Sequence, residues 1–225
     1  MEKLLLPRSA LNAEEEAYQH IQRQIVQGAA RPGSRLVPEI IAGEIGISRT
    51  PVRVALRRLA SEGLVTIRTN RSAVVRRLNR REMLEVFQIR SVLEGLALRN
   101  AMENMGPVQL HRLDAMLDQL DGTAPAAVDQ TSTHREFHEY LCGFCRQPRL
   151  QQQIADLHAV VEPYMRLWAS EPGRVAVRMR EAHQELIDAI RGGDPAHCEA
   201  TMRKHVMATV SALAPFLPDD DGRAE

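Results

Sequence analysis

A chain of 225 residues, 44% apolar and 26% charged, is comfortable for two modest domains and has the composition of an ordinary soluble globular protein. No run approaches the roughly 18 apolar residues of a membrane-spanning helix. The Leu4–Leu6 cluster is too short for a signal-peptide core, and three cysteines make no disulfide framework, so a cytoplasmic protein without a membrane partner is expected.

The net charge of zero conceals an asymmetry. Residues 1–80 hold 14 Arg or Lys against 7 Asp or Glu, whereas residues 81–225 hold 15 against 22. Nine arginines and one acid, Glu62, fall within 49–80. A basic half joined to an acidic half suggests a polyanion-binding module attached to something else; a solvated charge run is the bland alternative.

In the basic half, Glu14 to Gln27 places Ala17, Tyr18, Ile21, Ile25 and Val26 on one helical stripe that ends at Gly28. Arg31-Pro32-Gly33-Ser34 reads as a turn. Ile40, Ile41, Glu44 and Ile45 predict a short second helix, with Gly46 suited to its left-handed stop. Ser48 is then expected to N-cap a third helix carrying Val52, Val54, Ala55, Leu56 and Leu59 and ending at Gly63. Leu64–Arg68 and Ala73–Arg77 predict two short strands around a Thr69–Ser72 tip.

Helix, helix, short Gly turn, helix and hairpin is the order of a winged helix-turn-helix. The third helix would present Ser48, Arg49, Thr50 and Arg53 to the major groove, where Arg suits bidentate contact with guanine and hydroxyls suit phosphate. Arg71 at the hairpin tip could reach the minor groove, and Arg35, Arg57 and Asn70 complete the candidate DNA-binding set. Arg57, Arg58, Arg76 and Arg77 would add phosphate attraction, although Arg57 and Arg58 could equally solvate a helix face.

The runs Arg31-Pro-Gly-Ser-Arg-Leu36, Gly46-Ile-Ser-Arg-Thr-Pro-Val-Arg53 and Ala55-Leu-Arg-Arg-Leu-Ala-Ser-Glu-Gly-Leu64 resemble the GntR family of bacterial regulators over residues 14–78. Two positions depart from the family pattern: Val54 stands where Glu is usual, and Ser72 where Gly is common. Losing that Glu would remove an acid beside the DNA-facing arginines. The resemblance implies a bacterial, nucleoid-associated homodimer whose two heads read an inverted-repeat operator in double-stranded DNA.

From Arg80 onward apolar residues recur three and four apart over 80–103, 107–120, 125–145, 148–170, 174–192 and 195–214, separated by Gly, Pro and Asp-Gly breaks. Short connections imply antiparallel neighbours. The expected fold is therefore mainly α, with a winged helix of three helices and a β-hairpin over 1–78. An antiparallel bundle of about six helices over 79–217 and a frayed polar tail at 218–225 would follow.

His134 and His138 are four apart, which puts both rings on one helix face, while His183 and His205 fall on two later helices. Four imidazoles converging inside a bundle could bind a transition metal, whereas separate core or surface histidines are the bland reading. The second half also resembles the FadR-type C-terminal domain, whose members carry an Asp and a His four apart and a His on each of the last two helices. That resemblance implies effector binding and dimerisation by 79–217 and metal ligation by His138, His183 and His205. His134 stands where Asp is usual, which favours Zn²⁺ or Ni²⁺ over hard cations and leaves open a weaker or metal-free site.

Arg90 matches an arginine that lines the effector pocket in such domains, where its fork would pair with a small carboxylate. An ion pair with Glu94, one turn away, is the structural alternative. Cys142 and Cys145 form a CxxC that reads better as small buried hydrophobes, and Tyr164 and Trp168 read as core or pocket wall. The overall expectation is a repressor of a metabolic operon controlled by a small organic acid. A metal-responsive regulator without an organic effector is the alternative, and an enzyme is disfavoured because no general base stands out.

Overall fold

A computed structural model describes residues 10–68, 72–120, 130–169 and 176–218. Asn70 and Arg71 of the expected wing tip, and nearly all of the 218–225 tail, lie outside the described residues. The chain divides into two compact units, Met1–Arg77 and Leu78–Glu225.

In the first unit α1 (Ala10–Val26) packs on α3 (Arg49–Ser61), with α2 (Pro38–Ile45) against both. Ala17, Tyr18, Ile21 and Ile25 of α1 and Val52, Ala55, Leu56 and Leu59 of α3 form the buried seam. These are the i, i+3/i+4 stripes that a 3.6-residue period brings to one face. Gly46, at φ 67°, ends α2 in the left-handed region and donates its N–H to the Ala42 carbonyl. Ser48 has the extended backbone of an N-cap, but its side chain makes no capping hydrogen bond.

β2 (Val65–Ile67) and β3 (Ala73–Val75) form the expected antiparallel hairpin, with Val65 opposite Val75 and Ile67 opposite Ala73. A third strand, β1 (Arg35–Leu36), pairs with β3 and completes a sheet of order β1-β3-β2. Two residues are too few to show alternation, so sequence periodicity carries no sign of it.

The second unit contains six α-helices among the described residues: α4 (Arg80–Ala101), α5 (Pro107–Leu120), α6 (Gln130–Gly143), α7 (Pro148–Ala169), α8 (Ala176–Gly192) and α9 (Pro195–Leu213). A capping box starts α4: Asn79 accepts from the Glu82 N–H, and Glu82 accepts from the Asn79 N–H. α4 lies along α9 over much of its length. Gly95 permits this approach, since a Cβ there would sit 2.7 Å from Arg203 Cγ and 3.1 Å from the Glu199 carbonyl.

Phe87, Leu98, Leu113, Leu117, Phe137, Leu141, Leu186 and Met202 fill the interior of the bundle. Burying each such side chain contributes about 1.5–3 kcal/mol, so helices with modest intrinsic stability are held by their shared core. Tyr164 is buried and its hydroxyl accepts from the Leu78 N–H at 2.7 Å, satisfying the polar end of an otherwise apolar ring. Cys142 and Cys145 pack with Ala97, Ala101 and Ile154, and burial pushes the Cys142 thiol well up. That environment suits a small hydrophobe and opposes thiolate chemistry.

Candidate DNA interface and metal centre

Ser48, Arg49 and Thr50 are exposed at the start of α3, and Arg53 follows one turn later with its side chain 34% exposed. Because Ser48 does not close its own cap, its hydroxyl is available to another acceptor or donor. Arg35 is exposed on β1 and Arg57 is exposed further along α3.

Glu39, in the first turn of α2, accepts from Arg49 Nη1 at 3.2 Å and lies 3.8 Å from Arg53 Nη2. A backbone hydrogen bond, opposed by desolvation and reinforced by Arg49 and Arg53, holds its carboxyl below the usual range. Val54 supplies no acid beside these arginines, but Glu39 places one there from the neighbouring helix. Its separation of ten residues from Arg49, across a turn, hides the pairing from sequence spacing.

Arg58 is held within the same unit. Its Nη1 donates to Glu15 at 2.9 Å, its Nε donates to Glu62 at 3.2 Å, and its guanidinium lies 3.7 Å from the Tyr18 ring centre. Held by two acids and stacked on a ring, it ties α1 to α3.

In the bundle, α6 supplies His134 and His138, α8 supplies His183 and α9 supplies His205. One ligand atom from each lies within 4.8 Å of every other. His138 and His183 are each only 2% exposed. His138 Nε2 and His205 Nε2 are 3.3 Å apart. Two nitrogens bound tetrahedrally to one ion at about 2.0–2.1 Å would be separated by roughly that distance.

Glu94 of α4, fully buried beneath this cluster, was legible only as a neighbour of Arg90. Its Oε2 accepts from His138 Nδ1 at 2.8 Å, and its Oε1 accepts from Arg90 Nε at 2.9 Å and His158 Nε2 at 3.0 Å. Desolvation opposes its charge, but Arg90, His158 and His138 outweigh that and hold the carboxyl well below the usual range. With its proton on Nδ1, His138 keeps a bare lone pair on Nε2, the arrangement a metal requires of a ligating imidazole.

Burial, reinforced by the neighbouring imidazoles and Arg90, pushes His134 and His205 well below their ordinary range. Neutral imidazole is the form that binds a transition metal, and four nitrogen donors disfavour hard cations such as Ca²⁺ or Mg²⁺. The donor set fits the ion.

Sequence reading missed His158, on α7. It is 4% exposed and is pushed down to about 4, mainly by burial. Its one signal is position: it interrupts an apolar stripe between Ile154 and Val161.

A cavity of about 20 Å³ adjoins the cluster, lined among others by Arg90, His134, His138, His158 and Met165. That is room for about one water molecule. A wider open groove of about 600 Å³ runs along α8 past Arg180, Asp188 and His197 and includes none of the four clustered imidazoles.

Arg90 is 6% exposed and does form the ion pair with Glu94. Only its Nε is used; among the described residues its two terminal nitrogens make no hydrogen bond.

A basic winged helix in one unit, and an all-helical bundle in the other, define a helix-turn-helix transcription regulator with a separate C-terminal domain. Residues 13–75 match the model for bacterial regulatory proteins of the gntR family, and residues 85–208 match the FCD domain. The chain belongs to the GntR family of bacterial regulators, in the group with a FadR-type C-terminal domain.

It is 35% identical over 197 residues to the HTH-type transcriptional regulator McbR of Escherichia coli (strain K12), covering 86% of this chain and 89% of that protein. It is 28% identical over 212 residues to the uncharacterized HTH-type transcriptional regulator BphR of Paraburkholderia xenovorans (strain LB400), covering 90% and 85%. The solved structure of E. coli McbR/YncC superposes with a TM-score of 0.75 over 91% of this chain and 98% of that one, at 24% identity in the superposition. A putative GntR regulator from Rhodococcus sp. RHA1 gives 0.74 at 20% identity, over 91% and 99%.

These families and relatives are transcriptional regulators, not enzymes. No described helix is long and apolar enough to cross a membrane.

Proposed function

We propose that this DNA-binding regulator controls a metabolic operon, as a repressor, through a metal-dependent site in its C-terminal bundle. One observation carries the reading: four imidazoles on three helices point ligand atoms at a common centre, and Glu94 orients one of them. His134, His138, His183 and His205 hold a divalent transition metal, with Zn²⁺ preferred and Ni²⁺ the other candidate. When bound, the ion would supply a Lewis-acidic position for a carboxylate oxygen by expanding beyond its four imidazoles.

The chain's own residues do the rest. Arg90, fixed through Nε by Glu94, offers its terminal nitrogens to a small carboxylate effector. At the other end of the chain, Ser48, Arg49, Thr50 and Arg53 read the operator, with Arg35, Arg57, Asn70 and Arg71 contacting backbone or minor groove. Two copies related by a two-fold axis meet an inverted repeat, and the effector acts by binding one arrangement of the pair more tightly than the other.

A second reading is a metal-responsive regulator with no organic effector. The cavity beside the imidazoles favours it, because about 20 Å³ accepts a water molecule but not a carboxylic acid without side-chain movement.

The test is thermal stabilisation of the purified protein by small carboxylates, with and without prior metal stripping. An acid that stabilises only the metal-loaded form supports the first reading. Stabilisation by metal alone, with operator affinity following metal concentration, supports the second. No response to Zn²⁺ or Ni²⁺ refutes the metal site.

A further inference from the structure

We propose that His158 reads a hydroxyl on the effector, which makes the acid taken by this bundle a 2-hydroxy acid and not a plain alkanoate. The inference rests on the proposed carboxylate effector and names its class.

Glu94 fixes the ring of His158. An ionised carboxylate only accepts, so His158 Nε2, 3.0 Å from Glu94 Oε1, carries the ring proton and donates it. Burial keeps the imidazole neutral, and a neutral ring protonated on Nε2 has a bare lone pair on Nδ1. That Nδ1 is buried and has no hydrogen-bond partner among the described residues. A buried acceptor left unpaired costs about 1–3 kcal/mol, which a ligand that donates to it recovers. His158 also stands apart from the four imidazoles whose ligand atoms converge: its ring centre is 6.0 Å from that of His138, edge to face.

The cavity gathers complementary donors around this acceptor. Arg90 and Arg135 line it together with His158. Arg90 Nε and His158 Nε2 bind the same Glu94 oxygen, so the guanidinium and the imidazole lie side by side. Arg90 keeps its terminal nitrogens for a ligand, and Arg135 Nε is buried without a partner. Two guanidinium groups beside one bare acceptor call for a molecule that is anionic at one end and donates from a neutral group close by. A carboxylate with a hydroxyl on the adjacent carbon meets both demands in the shortest span.

An ammonium in place of the hydroxyl would add a third positive charge beside the arginines. The nearby carboxylates are already engaged, Glu94 by Arg90, His138 and His158, and Glu162 by Arg166. As it stands the cavity of about 20 Å³ takes one water molecule. Met165 forms part of its wall, and an unbranched thioether with three rotatable bonds yields readily to an entering acid.

The experiment uses the full-length protein loaded with Zn²⁺ and acids that differ only in the hydroxyl: glycolate against acetate, and lactate against propionate. By calorimetry each hydroxy acid is expected to bind at least about tenfold more tightly than its counterpart, because the acid without a hydroxyl leaves a buried group unpaired. His158→Phe keeps a ring and removes both nitrogens, so it should bring the two affinities together. His158→Gln retains one donor and one acceptor and should restore much of the difference. Nitrogen NMR reads the contact without any substitution and decides the matter if the Phe variant does not fold. The His158 Nδ1 resonance should move on adding lactate and stay in place on adding propionate.

Equal affinities within each pair, or a hydroxyl preference that survives His158→Phe, would overturn the role of His158 while leaving a carboxylate effector in place. A preference for alanine over lactate would shift the donor to an ammonium and overturn the hydroxyl assignment. Failure of every acid to bind a protein that holds Zn²⁺ would overturn the carboxylate reading and this inference together.

Discussion

Glu94 Oε2, on a carboxylate with no solvent exposure, accepts a hydrogen bond from His138 Nδ1 at 2.8 Å. The same carboxylate holds Arg90 and His158 through its other oxygen. One acid on α4 therefore orients residues from α6 and α7 as well as its own helix. A buried charge is tolerated there because three partners compensate its desolvation.

Glu94→Gln removes that compensation and leaves the Arg90 guanidinium buried without its counter-charge. The variant should unfold about 3–5 kcal/mol more easily, the usual cost of breaking a buried pair. If the metal site is used, affinity for Zn²⁺ should also fall about 10–100-fold, as expected when a partner orienting a ligating histidine is lost. Chemical denaturation and competition with a chromogenic chelator read the two effects separately. Unchanged values in both would show that Glu94 orients nothing.

Glu39 is expected to restrain DNA attraction, because it occupies Arg49 and approaches Arg53 in the free protein. Glu39→Gln should strengthen binding to arbitrary duplexes and steepen its salt dependence, each freed phosphate contact adding about −0.9 to the log–log slope. Arg49→Ala should instead remove discrimination between operator and scrambled DNA, at about 1–3 kcal/mol. Fluorescence anisotropy against salt concentration distinguishes these results. An Arg49→Ala protein that still prefers its operator would remove Arg49 from the reading set.

His183→Ala should lower the metal content of the purified protein, measured by mass spectrometry, and abolish stabilisation by added Zn²⁺. Operator binding by the metal-stripped form should be retained, because the substitution lies outside the winged-helix unit. Full metal occupancy in the variant would exclude His183 as a ligand.

Acid should destabilise the metal-stripped protein well before its surface carboxylates titrate. Unfolded, His158 takes a proton near 6.5; folded, it resists until about 4. Between those values the unfolded chain binds more protons, so stability rises with pH and is lost on acidification. The interval is worth about 3 kcal/mol for His158 alone. His134 and His205, also pushed well down by burial and by one another, steepen the same loss. Glu94 adds a further loss below about 4.5, where the unfolded carboxylate protonates and the folded one does not. Urea midpoints measured from pH 7 to 4 should fall continuously. A flat profile would mean that these imidazoles meet water in solution.

The sequence by itself determined the helices, the winged hairpin and the pairing of a basic unit with an all-helical one, because each leaves a local trace. Tyr18 to Ile25 repeats with the helical period, Gly46 marks a left-handed stop, and the 46–53 run places Ser48 and Arg49 at the head of a helix. His134 and His138 share a face because four residues make about one turn, which spacing alone conveys.

Only the tertiary structure decided which charges meet. Arg58 paired with Glu15 and Glu62, Glu39 took the place beside Arg49, and Glu94 gathered Arg90, His138 and His158 from three helices. These partners lie up to 64 residues apart, and their pairing follows from how helices stack around a common core. Periodicity reports which face of a helix is buried, but it carries no information about which other helix that face will meet.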